Sequence, residues 1–280
     1  MIIFDFSQII IGSTLDYWRQ TKEEISIDLL RHIALNNILN IKNKVGSTDK
    51  VTICLDGRNY WRKQVFPFYK QNRKKTREKD AFNWDTFHKV FNQLKAEFQE
   101  NLPYKIIEVD SAEADDLISV LTRRVFTDQN VIIISSDKDF IQLHNHKTKQ
   151  FSPYHKKYLK NDDYDIFEHV VCGDASDGIP NILSDDDVFV EDSKRSKPIR
   201  KKQLEEWKQY GLLNPDRFCN SVLMLDKFYR NRLLIDLTKI PEELEESVIK
   251  AYNETPVQSK NLFDYLTKNK LRKILERCDF

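Results

Sequence analysis

The chain has 280 residues, 40% hydrophobic and 32% charged, and its 45 Lys and Arg nearly cancel its 44 Asp and Glu, leaving a net charge of +1. That length allows one large domain or two ordinary ones around a real core, and the balance excludes any argument about partners from net charge alone. Cys54, Cys172, Cys219 and Cys278 are scattered, which excludes a Cys-x-x-Cys metal or redox site and fits free thiols in a reducing cytoplasm.

The opening MIIFDFSQIII is apolar but carries Asp5, and it has neither a basic leader nor a small-residue cleavage site. It is too short and polar for a signal peptide or membrane span, so it reads as a first buried strand in a cytoplasmic protein. Three further Ile/Val-rich runs follow: KVTICLDG with Asp56, KIIEVD with Asp110, and NVIIISSDKD with Asp137 and Asp139. Continuous apolar runs of this kind point to strands buried on both faces, as in a parallel sheet. Helical patterns lie between them. Thr21-Lys22-Glu23-Glu24 has capping-box spacing before Ile25, Leu29, Leu30, Ile33, Ile38 and Ile41. Trp84, Phe87, Val90, Phe91, Leu94 and Phe98 make one apolar helical face, and Ala114, Leu117, Ile118, Leu121 and Val125 another. The alternation predicts an α/β fold with a mostly parallel central sheet flanked by helices. From about residue 165 the strand signals thin out, and helical patterns broken by Gly178, Pro180 and the polar stretch LSDDDVFVEDSKRSKP predict a smaller helical domain. The expected domains are 1–164, an α/β core with an arch at about 58–98, and 165–280, a helical nucleic-acid-binding domain.

Each strand run ends in an acid or leads to one, and in an open parallel sheet those ends share an edge where ligands bind. Asp5, Asp56, Glu113, Asp115, Asp116, Asp137 and Asp139 should converge there, and CGDASDGIPN adds Asp174 and Asp177, three apart as on one helical turn. A single Asp after a strand is an ordinary N-cap or turn former. So many together would cost several kcal/mol of repulsion or force some to stay protonated, a penalty that divalent cations remove. Carboxylate ligands suit Mg²⁺ or Mn²⁺, while the six His offer no convincing zinc spacing, His144-x-His146 coming nearest. An all-carboxylate site with two cations is typical of phosphodiester chemistry, one side activating water and the other stabilising the leaving oxygen.

The stretch RNYWRKQVFPFYKQNRKKTREK (58–79) holds nine Lys and Arg, one acid and five interleaved aromatics. That is the composition expected for gripping a phosphate backbone and stacking exposed bases. SKRSKPIRKK (193–202) adds Lys194, Arg195, Lys197, Arg200, Lys201 and Lys202 with no acid. Either run could instead be a solvated charged loop, and Phe66 and Phe68 could simply pack.

In order, FDFSQI, CLDG, EADD, SSDKDFIQL and GDASDGIPN resemble the flap endonuclease-type 5′ nucleases, a family that includes the 5′-nuclease domain of bacterial DNA polymerase I. The likeness to its phage-encoded ribonuclease H branch extends to YWRKQVFPFYKQNRKK, and it thins after about residue 183. The resemblance implies a PIN-like nuclease core, a helical arch, and a helix-three-turn-helix element gripping duplex DNA. Carried over, Asp5, Asp56, Glu113 and Asp115 would build a first metal site with Asp116 in support. Asp137, Asp139 and Asp177 would build a second with Asp174 nearby. Catalysis would rest on Asp115 and Asp137, with Arg62 and Lys70 on the scissile phosphate. Arg58, Lys63, Tyr69, Arg73, Lys74, Lys75, Arg77 and the 194–202 basics would contact nucleic acid. The family's Asn-then-Gly order after the last acids is replaced here by SDGIPN, with Gly178 and Asn181.

The expected activity is a Mg²⁺-dependent (two ions, Mn²⁺ substituting) 5′-3′ exonuclease and flap endonuclease. It would cut RNA·DNA and DNA·DNA duplexes with a flap or nick and remove RNA primers in phage replication. The expected form is a monomer in the host cytoplasm. A single-stranded-DNA-binding protein is a partner implied by the resemblance; no clamp-binding peptide is seen, so a sliding clamp finds no support. The alternatives are a single-strand ribonuclease of the toxin PIN type, which such a long helical half argues against, and a DNA-structure-binding protein without catalysis, against which every acid position is filled. An Asp-nucleophile phosphatase is weaker still, because Asp5 is followed by Phe6-Ser7.

Overall fold

The computed structural model describes residues 1–46, 50–78, 81–257 and 261–277. Lys79 and Cys278 lie outside the described residues. The chain forms two compact units: Met1–Arg58, Ala81–Leu159 and Glu242–Phe280 make the first, Asn59–Asp80 and Lys160–Pro241 the second.

The first unit is built on a six-stranded sheet of order β3-β2-β1-β4-β5-β6. The central strand β1 (Ile2–Asp5) runs parallel to β2 (Val51–Leu55) and to β4 (Val131–Ile134). Outside them lie β3 (Lys105–Glu108) and β5 (Thr148–Ser152), also parallel, and a short antiparallel β6 (Lys157–Tyr158). Every residue of β1 and β2 is buried, which is why both read as unbroken apolar runs. The four expected strands are present. β5 was hidden because TKQFS has a single apolar residue, Phe151, and contains a fully buried Gln150.

Two helices follow β1 at once: α1 (Phe6–Thr21) and α2 (Ile27–Val45). The capping-box spacing at Thr21–Glu24 does not start a helix. Lys22 takes a left-handed conformation that ends α1, and Ser26 caps α2 by accepting from the Leu29 amide at 3.2 Å. Three helices separate β2 from β3: α3 (Trp61–Val65), α4 (Asn72–Glu78) and α5 (Trp84–Asn101). The first two belong to the second unit, whereas α5 buries Phe87, Phe91, Leu94 and Phe98 in the first unit's core. Of the span at about 58–98 expected as an arch, residues from Ala81 on belong to the first unit. After β3 comes α6 (Ala114–Val120), which runs on as a π-helical turn over Leu121–Val125.

The second unit contains α7 (Ile166–Cys172), α8 (Lys201–Lys208) and α9 (Val222–Ile235). Phe66, Tyr69, Phe167, Val171, Phe228 and Leu234 lie in its core. The last helices, α10 (Glu242–Glu254), α11 (Leu262–Lys268) and α12 (Arg272–Leu275), return to the first unit instead of extending the helical domain expected over 165–280. Tyr265, Leu266 and Ile274 enter the sheet's core. Arg31 bonds Glu97 and the Tyr265 hydroxyl, and Glu245 takes ion pairs from Arg123 and Arg124 at 2.5 Å each. Among the described residues no helix is long and apolar enough to cross a membrane.

Candidate active site

Chain order doubles back between β1 and β4, so the carboxyl ends of these neighbours open a crevice of the kind that receives ligands in α/β sheets. Asp5 closes β1 there, buried, accepting from the Ser135 hydroxyl at 2.8 Å and from the Gln8 amide at 3.4 Å. Asp56 follows β2, and its Oδ1 accepts from the Ala114 amide at 2.9 Å, which ties this strand end to the start of α6. Gly57 makes that join possible: a Cβ there would lie 2.0 Å from the Val109 carbonyl oxygen.

Glu113, Asp115 and Asp116 sit where the chain is still bending. Ser111 has a φ of 66°, Glu113 is the extended N-cap of α6, and the helix begins at Ala114. In a straight helix Glu113 and Asp115 would point about 200° apart; an extended N-cap removes that restriction. Asp116 turns inward. It is fully buried, and its Oδ2 accepts from the Glu113 amide at 3.0 Å, completing a capping box. Its place is thus behind Glu113, holding that backbone, and not on the open edge. Asp137 follows β4 and accepts from the Asp139 amide at 3.0 Å.

These acids act on one another. Burial pushes the Asp5 carboxyl up to about 7, and the negative charges of Asp56 and Asp137 push the same way against the Ser135 hydrogen bond. Burial, with Asp5 and Asp56 adding to it, also raises the Cys54 thiol well above its ordinary value. A buried carboxylate facing two more, with only oxygen donors in the set, fits a hard divalent cation and not zinc. His144, the nearest approach to a zinc ligand in the sequence, bonds Gln150 at 3.2 Å.

In the second unit the expected metal ligands Asp174 and Asp177 do not share a helical turn. Gly173, with a φ of 70°, ends α7; Asp174 then bridges to Ile179, and its Oδ1 accepts from the Ser176 amide at 2.7 Å. The Asp174 carboxylate faces His169 Nε2 at 3.5 Å, a neighbour the sequence did not reveal. Burial opposes its ionisation, but the bonds from His169 and Ser176 hold it well below the usual carboxylate range. Asp177 takes the Tyr69 hydroxyl at 3.0 Å, Lys70 Nζ at 3.4 Å and the Arg73 guanidinium.

Several expected contacts of nucleic acid are placed differently. Arg62 is buried: its Nε donates to the Leu234 carbonyl at 2.9 Å near the C-terminus of α9, and its guanidinium lies over Trp61. Tyr69 belongs to the core, so its ring is not a stacking platform. Lys75 is drawn to the Val190 carbonyl and to Asp192. Lys194 pairs with Asp187 at 2.7 Å and Lys197 with Asp185 at 3.8 Å, so the acids of the polar loop neutralise part of the second basic run. Arg58, Lys63, Arg73, Lys74, Arg77, Arg195, Arg200, Lys201 and Lys202 are exposed.

Residues 18–170 match the family described as 5′-3′ exonuclease, N-terminal resolvase-like domain, and residues 161–279 match T4 RNase H, C terminal. Ribonuclease H of Enterobacteria phage T4 is 32% identical over 97% of this chain and 92% of its own length. The chain belongs to the 5′-3′ exonuclease family. Within that family, a flap endonuclease Xni of Shewanella pealeana is 32% identical over 44% of the chain and 48% of the relative. The exonuclease fold is also shared with solved structures of phage T5. The T5 flap endonuclease in complex with DNA and metal ions covers 99% of this chain and 98% of its own at 16% identity, with a TM-score of 0.61. The T5 5′-exonuclease with zinc bound gives the same score.

Proposed function

We propose that this 5′-3′ exonuclease hydrolyses phosphodiesters at the sheet edge carrying Asp5, Asp56, Glu113, Asp115 and Asp137, acting as a flap endonuclease with Mg²⁺ as its ion. The observation that carries the proposal is the buried Asp5, with its carboxyl pushed up by burial and by Asp56 and Asp137. Keeping all of these carboxylates ionised at neutral pH calls for a cation to take up their charge. A bound cation would supply Lewis-acid and water-activating chemistry.

The chain's own residues do the rest. Ser135 and Gln8 orient Asp5, the Ala114 amide orients Asp56, and Asp116 sets the Glu113 backbone. Half-buried Lys70 and exposed Arg73, gathered by Asp177, offer positive charge to a phosphate. Exposed bases at 195, 200, 201 and 202 would follow a duplex backbone without reading sequence. The substrates proposed are 5′-flapped or nicked DNA duplexes and RNA·DNA hybrids, met when RNA primers are removed from lagging strands in a phage-infected cytoplasm, with a single-stranded-DNA-binding protein as partner. The test is a Mg²⁺ titration on 5′-labelled flap and nicked RNA·DNA duplexes, reading product length. Mg²⁺-dependent cuts at the flap junction and short 5′ products are expected; equal cutting of unstructured single-stranded RNA would sink the reading. In the same assay Asp115→Asn abolishes cleavage while the variant still binds the duplex, and cutting at near wild-type rate would remove Asp115 from the site.

A further inference from the structure

Gln150 is a neutral amide with no exposure at all, set in β5. A buried amide is tolerated only when its hydrogen-bonding capacity is filled. Its Nε2 donates to two backbone carbonyls two residues apart, Ser135 at 2.9 Å and Asp137 at 2.6 Å. Its Oε1 faces His144 Nε2 at 3.2 Å. The two carbonyls settle which end of the amide is which, so His144 must present Nε2–H to the oxygen.

The peptide between those carbonyls is held from the other side. Gln8, on α1, accepts from the Ser136 amide at 2.8 Å, and its Oε1 lies 3.0 Å from the Ser135 hydroxyl. The same hydroxyl accepts from the Asp137 amide at 3.0 Å and reaches Asp5 at 2.8 Å. Residues 135–137 are therefore wrapped around one glutamine amide and fastened by another. This is the segment that presents Asp137, which in turn takes the Asp139 amide. A turn fixed by two side chains from separate elements cannot relax its carboxylates toward solvent when they repel.

We infer that Gln150, with Gln8 opposite it, is a positioning residue that presets Asp137 and Asp139 for a divalent cation. The inference rests on the metal-site reading above. Neither glutamine offers chemistry of its own; each acts through the backbone of 135–137. Outer groups that orient ligands typically change metal affinity by about 10–100-fold when removed.

The test is Mn²⁺ titration of metal-free protein, with free Mn²⁺ read by electron paramagnetic resonance, for wild type, Gln150→Met and Gln8→Leu. Gln150→Met keeps the volume and removes both donors. Its Mn²⁺ dissociation constant should rise about ten-fold or more, with flap-DNA affinity in EDTA unchanged and cleavage restored at saturating Mn²⁺. Unchanged Mn²⁺ affinity, or a parallel fall in Mn²⁺ affinity, DNA affinity and Tm, would make Gln150 mere packing and overturn the inference. If Gln150→Met does not fold, half-buried Gln8→Leu carries the same expectation and the same refutation. If wild type binds no Mn²⁺, the metal-site reading itself has failed, and the glutamine inference falls with it.

Discussion

At the scale of single residues, Asp5 shows how a site can cost stability. Its folded carboxyl is pushed from 3.8 to about 7. Between those values the folded chain holds a proton that the unfolded chain releases, so the contribution is full at low pH and lost as pH rises toward 7. In EDTA this group should therefore lower stability by a few kcal/mol on going from about pH 5 to pH 8. Asp5→Asn should remove the dependence and raise the metal-free Tm by several degrees while abolishing cation binding. Calorimetric melts of both proteins across that range check it; a lower Tm for Asp5→Asn at pH 8 would contradict it. Arg62 teaches the opposite lesson. The family resemblance puts it on the scissile phosphate, while in the structure its Nε donates to the Leu234 carbonyl and its guanidinium lies over Trp61.

At the scale of elements, the turn after β2 is where sheet and site depend on each other. Gly57 donates to the Ala112 carbonyl at 2.9 Å, and a methyl group would collide with backbone oxygen, not with a side chain that could swing aside. Gly57→Ala should cost on the order of 3 kcal/mol or more, read by urea unfolding, and weaken cation binding through the displaced Asp56. The 184–200 loop and the start of α8 show the same coupling by charge. Lys194→Ala should leave the salt dependence of duplex binding unchanged, because Asp187 and Asp185 already hold that ammonium. Lys201→Ala should lower the slope of log affinity against log salt by about 1. Fluorescence anisotropy over a salt series distinguishes the two, and identical slopes for both variants would remove Lys201 from the interface.

At the scale of the whole molecule, the chain leaves its first unit after β2, rejoins it at α5, leaves again after β6 and returns with α10. The C-terminal return is structural. Tyr265, Leu266 and Ile274 fill the core, Val248 is fully buried, and Glu245 answers Arg123 and Arg124. A chain ending at Pro241 should lose the cooperative unfolding of the α/β unit, because that surface and both arginines would be exposed together. Near-UV circular dichroism on heating decides it; a sharp native-like melt would show that the last helices are dispensable.

The sequence by itself determined what depends on near neighbours. Unbroken Ile/Val runs mark strands buried on both faces, acids at their ends mark the candidate ligand edge, and the ordered motifs mark the family. EADD in a strand-to-helix turn was legible too, since that turn is local. Tertiary structure alone decided which charges face outward and which are answered within the protein. Asp177 with Lys70 and Arg73, Lys75 with Asp192, and Arg62 with Leu234 join residues far apart in the chain. Gln150 reads in sequence as one polar residue in a weak strand. Only the folded chain reveals it as a buried amide gripping two carbonyls, because burial and hydrogen-bond partners exist once distant segments have met.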